Sequence, residues 1–399
     1  MNIMFLSLSK MADINARGIY RDLIRHFAKN GHSVTVAYPI EKKENENTKI
    51  SKHGAITLLS VSTGNITKCK NKLEKGISTI LLQHHYIKSI NTYCSAETFD
   101  LILYATPPIT FSSIVRKMKK KLGTKSYLML KDIFPQNALD IGFLPSWGPW
   151  TLLVSWFKHQ ERELYKVSDF IGCMSPRNVA YLLEKNPYIL SEKVEVCPNS
   201  ITPIEREAIN RIEHDSQQPL TFLYGGNLGK PQGIPFLLDC LASNMNRHDR
   251  RFIICGTGTE AHLIASFIEK HQPNNITFIP GLPVAEYEEL VTQCDIGMIF
   301  LDHRFTIPNF PSRILSYMEK AIPVLACTDP NTDMGEIISE NRFGWWVESN
   351  SVESFNTMIN SLCNLDQETI SLFGMNARNY LEDHYTVEST YNTIMKHFE

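Results

Sequence analysis

One local pattern, met twice, limits what this chain can fold into more than any other feature. Ile3 to Leu8 reads as a buried strand, Ser9 to Arg17 as a polar loop, and Gly18 opens a helix. The apolar positions of that helix, Ile19, Tyr20, Leu23, Ile24 and Phe27, recur with the period of an amphipathic helix. Asn30-Gly31 predicts a left-handed close, and Ser33 to Tyr38 is the next strand. Strand, loop, helix, strand is a βαβ unit, which belongs in a parallel sheet with helices on its faces. Further strands are expected at Ile56–Val61, Leu101–Ala105, Ser126–Leu130 and Phe170–Met174.

The pattern then restarts. Leu220 to Tyr224 is a strand ending in Gly225-Gly226, Pro235 to Ala242 a helix, and Arg251 to Cys255 a strand ending in Gly256-Thr-Gly258. A helix over Glu260–His271, a strand over Ile276–Ile279, a helix over Tyr287–Cys294 and a strand over Ile296–Leu301 follow. Arg313–Glu319 is a helix and Val324–Cys327 a strand. The reading is two α/β domains in series: 1–202, a charged linker 203–219 without strand signals, 220–375, and a closing helical segment 376–399. A length of 399 residues suits two such domains, each able to bury a core. No repeat of solenoid period occurs.

Charge excludes some functions. Lys plus Arg is 40 and Asp plus Glu 42, a net charge of −2, which does not suit a duplex DNA binder; no nucleic acid partner is expected. The basic run Arg116–Lys121, with Lys68, Lys70, Lys72 and Lys75 before it, reads first as a solvated helix face and second as a patch for an anionic membrane. No apolar run reaches the ~20 residues of a membrane span, and the start lacks a basic region and cleavage site, so no signal peptide is expected. Nine cysteines without a CxxC pair argue against a disulfide framework or zinc site and for a reducing, cytoplasmic setting. Between Phe143 and Lys166, Trp147, Trp150, Leu153, Val154, Phe157 and Leu164 share a helical face, with Trp156 beside it. That face is either a core helix or an interfacial helix meeting a lipid-linked substrate.

Several motifs carry chemistry. Gly256-Thr-Gly258-Thr-Glu260-Ala261 follows a strand and precedes a helix, an arrangement that lets backbone N–H groups approach a diphosphate, or that simply makes a tight turn. As a dinucleotide fingerprint it lacks the acidic residue expected after Ile276–Ile279. Gly225-Gly226-Asn227-Leu-Gly229-Lys230 is one residue short of a Walker A loop and lacks its Ser/Thr, so an ATPase is rejected, while Lys230 remains a candidate phosphate cation. Pro311-Ser312-Arg313 opens a helix, with Ser312 as cap and Arg313 in the first turn, an anion site or plain capping. Asp132 ends a strand, where open α/β sheets bind ligands, or caps a helix. His84-His85 reads as a helix-surface or capping pair. No Asp-x-Asp, HExxH or GxSxG occurs, so no metal site is expected.

Taken in order, these segments resemble the family 4 glycosyltransferases, above all the bacterial enzymes of capsule and O-antigen assembly. The likeness runs nearly end to end. It joins Gly18, Gly31-His32-Ser-Val-Thr-Val36, Asp132-Ile-Phe-Pro-Gln136 and Val196-Cys-Pro-Asn199 to Tyr224–Gly229, Gln232-Gly233 and Gly256–Glu260. Gly281-Leu282-Pro283 with Glu286, Cys294-Asp295-Ile296, Phe310–Arg313 and Ile322-Pro-Val324 complete it. The resemblance implies the GT-B architecture, two Rossmann-like domains facing across a cleft, with the acceptor on the first domain and a nucleotide-diphosphate sugar on the second. It also implies retention at the anomeric carbon, no required metal or cofactor, and a last helix, Asn376 to His397, crossing back to the first domain. Donor-binding positions carried over are Gly18, Gly226, Asn227, Gln232, Gly256, Gly258, Glu260, Leu282, Glu286, Ser312 and Ser316; the catalytic candidates are Asp132, Lys230 and Arg313. This chain departs from the family where two glutamates usually stand, here Pro308 and Ser316, and where a loop Arg and Lys are Asn227 and Gln232.

The expected activity is hexosyl or N-acetylhexosaminyl transfer from a nucleotide sugar, a UDP-sugar first, to a polyprenol-diphosphate-linked saccharide at the inner face of the cytoplasmic membrane. The alternatives are a non-catalytic nucleotide-sugar-binding subunit, motivated by the lost glutamates, and a GT-B nucleotide-sugar epimerase, whose paired carboxylates and histidines are not evident.

Overall fold

Short runs of β-branched and aromatic residues alternate with amphipathic stretches along the chain, and the structure turns them into two parallel sheets flanked by helices. This computed structural model describes residues 1–66, 72–145, 147–148, 150–209 and 218–398. It divides into Met1–Ile201 with Val387–Glu399, and Thr202–Thr386. Lys68, Lys70 and residues 210–217 of the expected linker lie outside the described residues.

The first unit comprises β1 (Asn2–Leu6), α1 (Ile19–Lys29), β2 (Ser33–Glu41), β3 (Lys49–His53), β4 (Ile56–Thr63), α2 (Lys72–Tyr93) and β5 (Leu101–Ala105). It continues through α3 (Ser112–Leu122), β6 (Lys125–Leu130), α4 (Gln136–Asp140), α5 (Trp150–Val167), β7 (Phe170–Cys173), α6 (Pro176–Lys185) and β8 (Val194–Val196). The strand order is β3-β4-β2-β1-β5-β6-β7-β8, parallel except for β3, which runs against β4. The central strands are buried on both faces, as continuous apolar runs demand, and Phe5, Val36, Leu103 and Met129 meet Leu23, Ile24 and Phe27 of α1 in one core.

The second unit comprises β9 (Leu220–Asn227), α7 (Ile234–Ser243), β10 (Arg250–Thr257), α8 (Ala261–His271), β11 (Ile276–Ile279), α9 (Val284–Thr292) and β12 (Ile296–Phe300). Then follow α10 (Ile314–Glu319), β13 (Val324–Thr328), α11 (Met334–Glu340), β14 (Gly344–Glu348), α12 (Val352–Leu362) and α13 (Gln367–His384). Its six-stranded sheet, β11-β10-β9-β12-β13-β14, is parallel throughout. The two Rossmann-like sheets expected from the sequence are therefore present.

Three features differ from expectation. The closing segment is two helices: α13 ends at His384 and stays with the second unit, while α14 (Val387–Met395) belongs to the first. The helix breaks because Tyr385 turns inward beside Tyr380 and Phe310, with ring separations of 5.5 and 6.2 Å. On the first unit, Tyr391 of α14 packs on Phe27 at 5.0 Å and bonds His32 at 2.9 Å, and His397 stacks on Phe170 at 3.8 Å. The described part of the linker is also held rather than free: Ile204 donates its N–H to Glu319 at 3.0 Å, and Arg206 pairs with Glu382. Third, the Trp-rich face splits. Val154 and Leu164 are core and Trp156 packs on Phe157, whereas Trp147 and Trp150 stand in solvent. No helix among the described residues is long and apolar enough to cross a membrane.

Candidate functional site

In parallel sheets the loops after the strands' C-terminal ends gather at one edge. In the second unit that edge brings most of the expected donor residues together. β9 and β10 pair through Gly256↔Gly226 and Thr257↔Asn227, and the backbone zip continues beyond: Leu228 donates to Thr257 at 2.8 Å, and Glu260 donates back to Leu228 at 2.9 Å. A Cβ on Gly256 would overlap the Gly226 carbonyl, and one on Gly258 would overlap the Leu228 backbone. These glycines are thus required by the approach of one loop to another. The N–H of residue 260 is spent on that contact, and α8 begins only at Ala261.

Gly256→Ala is therefore expected to push β9 and β10 apart and destabilise the unit by about 1–3 kcal/mol, the scale of an overpacked site. A thermal melt should show a drop of several degrees. Gly76→Ala, in open space on α2, is the control and should not lower the midpoint. Equal behaviour of the two variants would refute the packing argument.

Asn227 and Gln232, which replace the family's usual cations, hold each other. The Asn227 amide donates to Gln232 Oε1 at 2.9 Å, and the Gly229 N–H donates to the same oxygen at 3.2 Å. They fix a 3₁₀ turn over Lys230–Gln232, which leaves the Lys230 side chain exposed and without a partner among the described residues. Glu260 keeps one buried carboxylate oxygen with no partner. Nearby, Arg304 grips Asp302 through two bonds of 2.8 and 2.6 Å.

Arg313 lies at the centre. Its guanidinium sits 4.7 Å from the centroid of the Tyr224 ring, and Nη1 donates to the Gly225 carbonyl at 3.3 Å. Gly226, with φ +126°, leaves room for it; a Cβ there would stand 3.6 Å from the guanidinium carbon. Tyr317 closes one side, its hydroxyl accepting from the Gly225 N–H and lying 3.1 Å from the Leu223 carbonyl. Tyr287 closes another, so near Gly225 that any side chain there would collide with it. Burial raises the Tyr287 hydroxyl above its ordinary range, against the pull of bonds to Tyr317 and Ser316. The sequence reading named Arg313, Gly226 and Ser316 but missed Tyr224, Tyr287 and Tyr317. Gly225 was the available signal, because a glycine inside a strand marks a close approach.

Ser312 is a correction. It was expected to cap the helix and open an anion site. The helix starts at Ile314, Arg313 occupies the capping position, and no side chain caps it. The N–H groups of Ile314, Leu315 and Ser316 turn back to the carbonyls of Pro311, Ser312 and Arg313. Positive charge at this point therefore comes from the guanidinium rather than from unspent helix amides. Leu282 is half-buried in the loop after β11, where the adjacent Gly281 lies against Thr257. Glu286 is exposed on α9, and Pro308 is buried.

Gly18 and Asp132 belong to the first unit. Gly18 adopts φ +154° before α1 and donates its N–H to Asp22 at 3.1 Å. Asp132 follows β6, its own N–H bonded to the Thr106 hydroxyl at 3.0 Å. It caps no helix, since Pro135 holds that position for α4. Burial pushes its carboxyl up to about 6, and its charge is felt by Tyr20 at the start of α1. His84 and His85 are ring neighbours along α2. Among the described residues, no three His, Cys, Asp or Glu side chains come together as a metal site.

Comparison with known proteins places this geometry. Residues 205–380 match the family described as Glycosyl transferases group 1. The probable glycosyltransferase WbjE of Pseudomonas aeruginosa is 24% identical over 332 residues, which are 79% of this chain and 78% of that protein. An E. coli structure described as trehalose-6-phosphate bound with UDP-2-fluoro glucose superposes with a TM-score of 0.74 at 10% identity, over 99% of this chain and 98% of its own. Anabaena HepE in complex with UDP and glucose gives 0.67 at 14% identity, over 100% and 99%. Neither a non-catalytic subunit nor an epimerase is favoured by these relatives. A group 1 domain on this fold, in a chain that runs beside a named glycosyltransferase for most of its length, makes this protein a GT-B glycosyltransferase.

Proposed function

We propose that the chain moves a hexosyl or N-acetylhexosaminyl group, with retention, from a nucleotide-diphosphate sugar to a polyprenol-diphosphate-linked saccharide during assembly of a bacterial surface polysaccharide. The second unit, from about residue 220, takes the donor and the first the acceptor. Because its acceptor is lipid-linked, the enzyme works peripherally at the inner face of the cytoplasmic membrane.

The observation that carries this reading is the caged Arg313 guanidinium at the Gly225–Gly226 turn, inside the group 1 domain. As the bond from the anomeric carbon to the diphosphate breaks, the leaving group gains charge, and a preorganised cation favours that state over the ground state. Arg313 supplies a fork for two phosphate oxygens, and exposed Lys230 supplies a second, mobile charge. Asp132, at the strand edge of the first unit, orients the acceptor or the sugar. A uridine nucleotide is preferred because the neighbours from E. coli and Anabaena hold UDP-containing ligands.

A thermal-shift panel of UDP-, GDP- and dTDP-sugars tests the donor. A true ligand at about 100 times its dissociation constant stabilises by about 2.7 kcal/mol. A panel in which no UDP-sugar raises the midpoint would overturn the uridine assignment. Transfer is also expected to survive a metal chelator, because Arg313 and Lys230 neutralise the diphosphate. Loss of activity in EDTA, restored by magnesium or manganese, would contradict this.

A further inference from the structure

The chain approaches Arg313 through residues 301–313, between β12 and α10, which form neither helix nor strand. The stretch is nevertheless buried at Phe305, Ile307, Pro308 and Phe310. A buried irregular segment must pass its backbone polar groups to partners outside itself, because water does not reach them. At its start the Leu301 N–H donates to the Cys327 carbonyl of β13 at 2.9 Å, and the Asp302 N–H to the Pro231 carbonyl at 3.0 Å. Further on, one neighbouring turn takes up two carbonyls. The Asn331 side-chain amide donates to the Phe305 carbonyl, and the Thr332 hydroxyl to the Asn309 carbonyl, each at 2.6 Å. Asn309 stands four residues before Arg313, a reach of at most about 14 Å.

That turn, residues 329–333, joins β13 to α11, and Asp329 shapes it. Asp329 Oδ1 accepts the Asn331 N–H at 2.9 Å, and the Thr332 N–H bonds the same carboxyl. An aspartate closing on the backbone two residues ahead fixes a turn of this kind. One side chain thus orders both residues that hold the stretch. Asp329 is wholly buried, and its Oδ2 has no partner among the described residues. Burial pushes its carboxyl from 3.8 up to about 6, and among the described residues no cation offsets it. An acid held there costs stability, and what it contributes is the shape of the turn.

We infer that Asp329, acting through Asn331 and Thr332, is a positioning residue for the donor diphosphate: it fixes the stretch that delivers Arg313 to the Gly225–Gly226 turn. The inference rests on the proposed role of Arg313 and adds what sets the backbone from which that guanidinium reaches. Tyr224 and Gly225 hold the end of the side chain, and the Asp329 turn holds its root. A small displacement of the root spoils the alignment of the fork with two phosphate oxygens.

The test is titration calorimetry of the full chain with UDP, GDP and dTDP, which carry the diphosphate and need neither sugar nor acceptor. The variants are Asp329→Ala, Asp329→Asn and Thr332→Val, each alone and with Arg313→Ala, and Thr357→Val on α12 as control. Valine keeps the shape of threonine and removes its hydroxyl, whereas asparagine still accepts from Asn331. Asp329→Ala and Thr332→Val should weaken the best-bound nucleotide roughly tenfold, the scale of a small misplacement at a preorganised group. Asp329→Asn and the control should bind like the wild type. In the Arg313→Ala background, where no guanidinium remains to be positioned, the same changes should cost nothing further.

Turn variants that bind like the wild type, or losses that multiply with that of Arg313→Ala, would overturn the inference. Equal losses in Asp329→Asn and Asp329→Ala would overturn the turn as its means. A lower melting midpoint with unchanged affinity would reduce the turn to a stabilising feature. Should Asp329→Ala fail to fold, Thr332→Val carries the test. A wild type that binds none of the three nucleotides, or an Arg313→Ala variant that binds as tightly as wild type, would sink the proposed diphosphate contact itself. Weakened binding in Arg313→Ala beside unaffected turn variants would sink the positioning alone.

Discussion

Arg313→Ala is expected to lower kcat/KM for transfer by about 30- to 1,000-fold, a loss of roughly 2–4 kcal/mol in transition-state stabilisation. The expectation follows from how the guanidinium is held. It lies over Tyr224, donates to Gly225, and has Tyr287 and Tyr317 as walls, so its position is set before any donor arrives. A preorganised cation needs no rearrangement when the diphosphate departs, so kcat suffers as well as donor affinity. With Asn227 and Gln232 bonded to each other in place of two family cations, the remaining positive charge carries more of the load. Arg313→Lys should recover only part, because an ammonium cannot grip two oxygens and stacks less well on Tyr224. Kinetics of the alanine variant near wild type, with a fall only in melting temperature, would reduce Arg313 to a packing residue.

The second large effect concerns Asp132. Asp132→Asn is expected to cut transfer by about 100-fold while making the protein more stable at neutral pH. Burial moves the carboxyl from its ordinary 3.8 to about 6. Between those values the folded chain keeps a proton that the unfolded chain releases, so this group's contribution to stability falls as pH rises and is constant above. The cost at neutral pH is about 2 kcal/mol, trimmed for the group's partial exposure. Asparagine stays neutral and removes it. Wild type and variant should therefore unfold alike near pH 4, diverge up to about pH 6, and keep that difference at higher pH. If the ionised form orients substrate, activity should rise through about pH 6. A variant of unchanged activity and stability would show that Asp132 is neither strained nor used.

What the sequence by itself determined is the kind of order that lies within a few residues. Leu101–Ala105 is a strand over the same residues that its apolar run marks, because a strand buried on both faces needs every side chain apolar. Gly31 closes α1 with φ +83°, the conformation Asn-Gly signals. One βαβ pattern met twice was enough for two Rossmann-like sheets. What only the tertiary structure decided lies between distant segments. β3, Lys-Ile-Ser-Lys-His, is exposed along its whole length and exists because β4 offers it an antiparallel edge; no period in its own residues predicts it. The same Trp-rich stretch supplies core at Val154, which packs with Ala138 of α4 and Leu144, and bare surface at Trp147. The cage around Arg313 draws one tyrosine each from β9, α9 and α10. Periodicity and turn chemistry act along the chain, whereas that meeting depends on sheet order and register, which bring residues some ninety positions apart against one glycine turn.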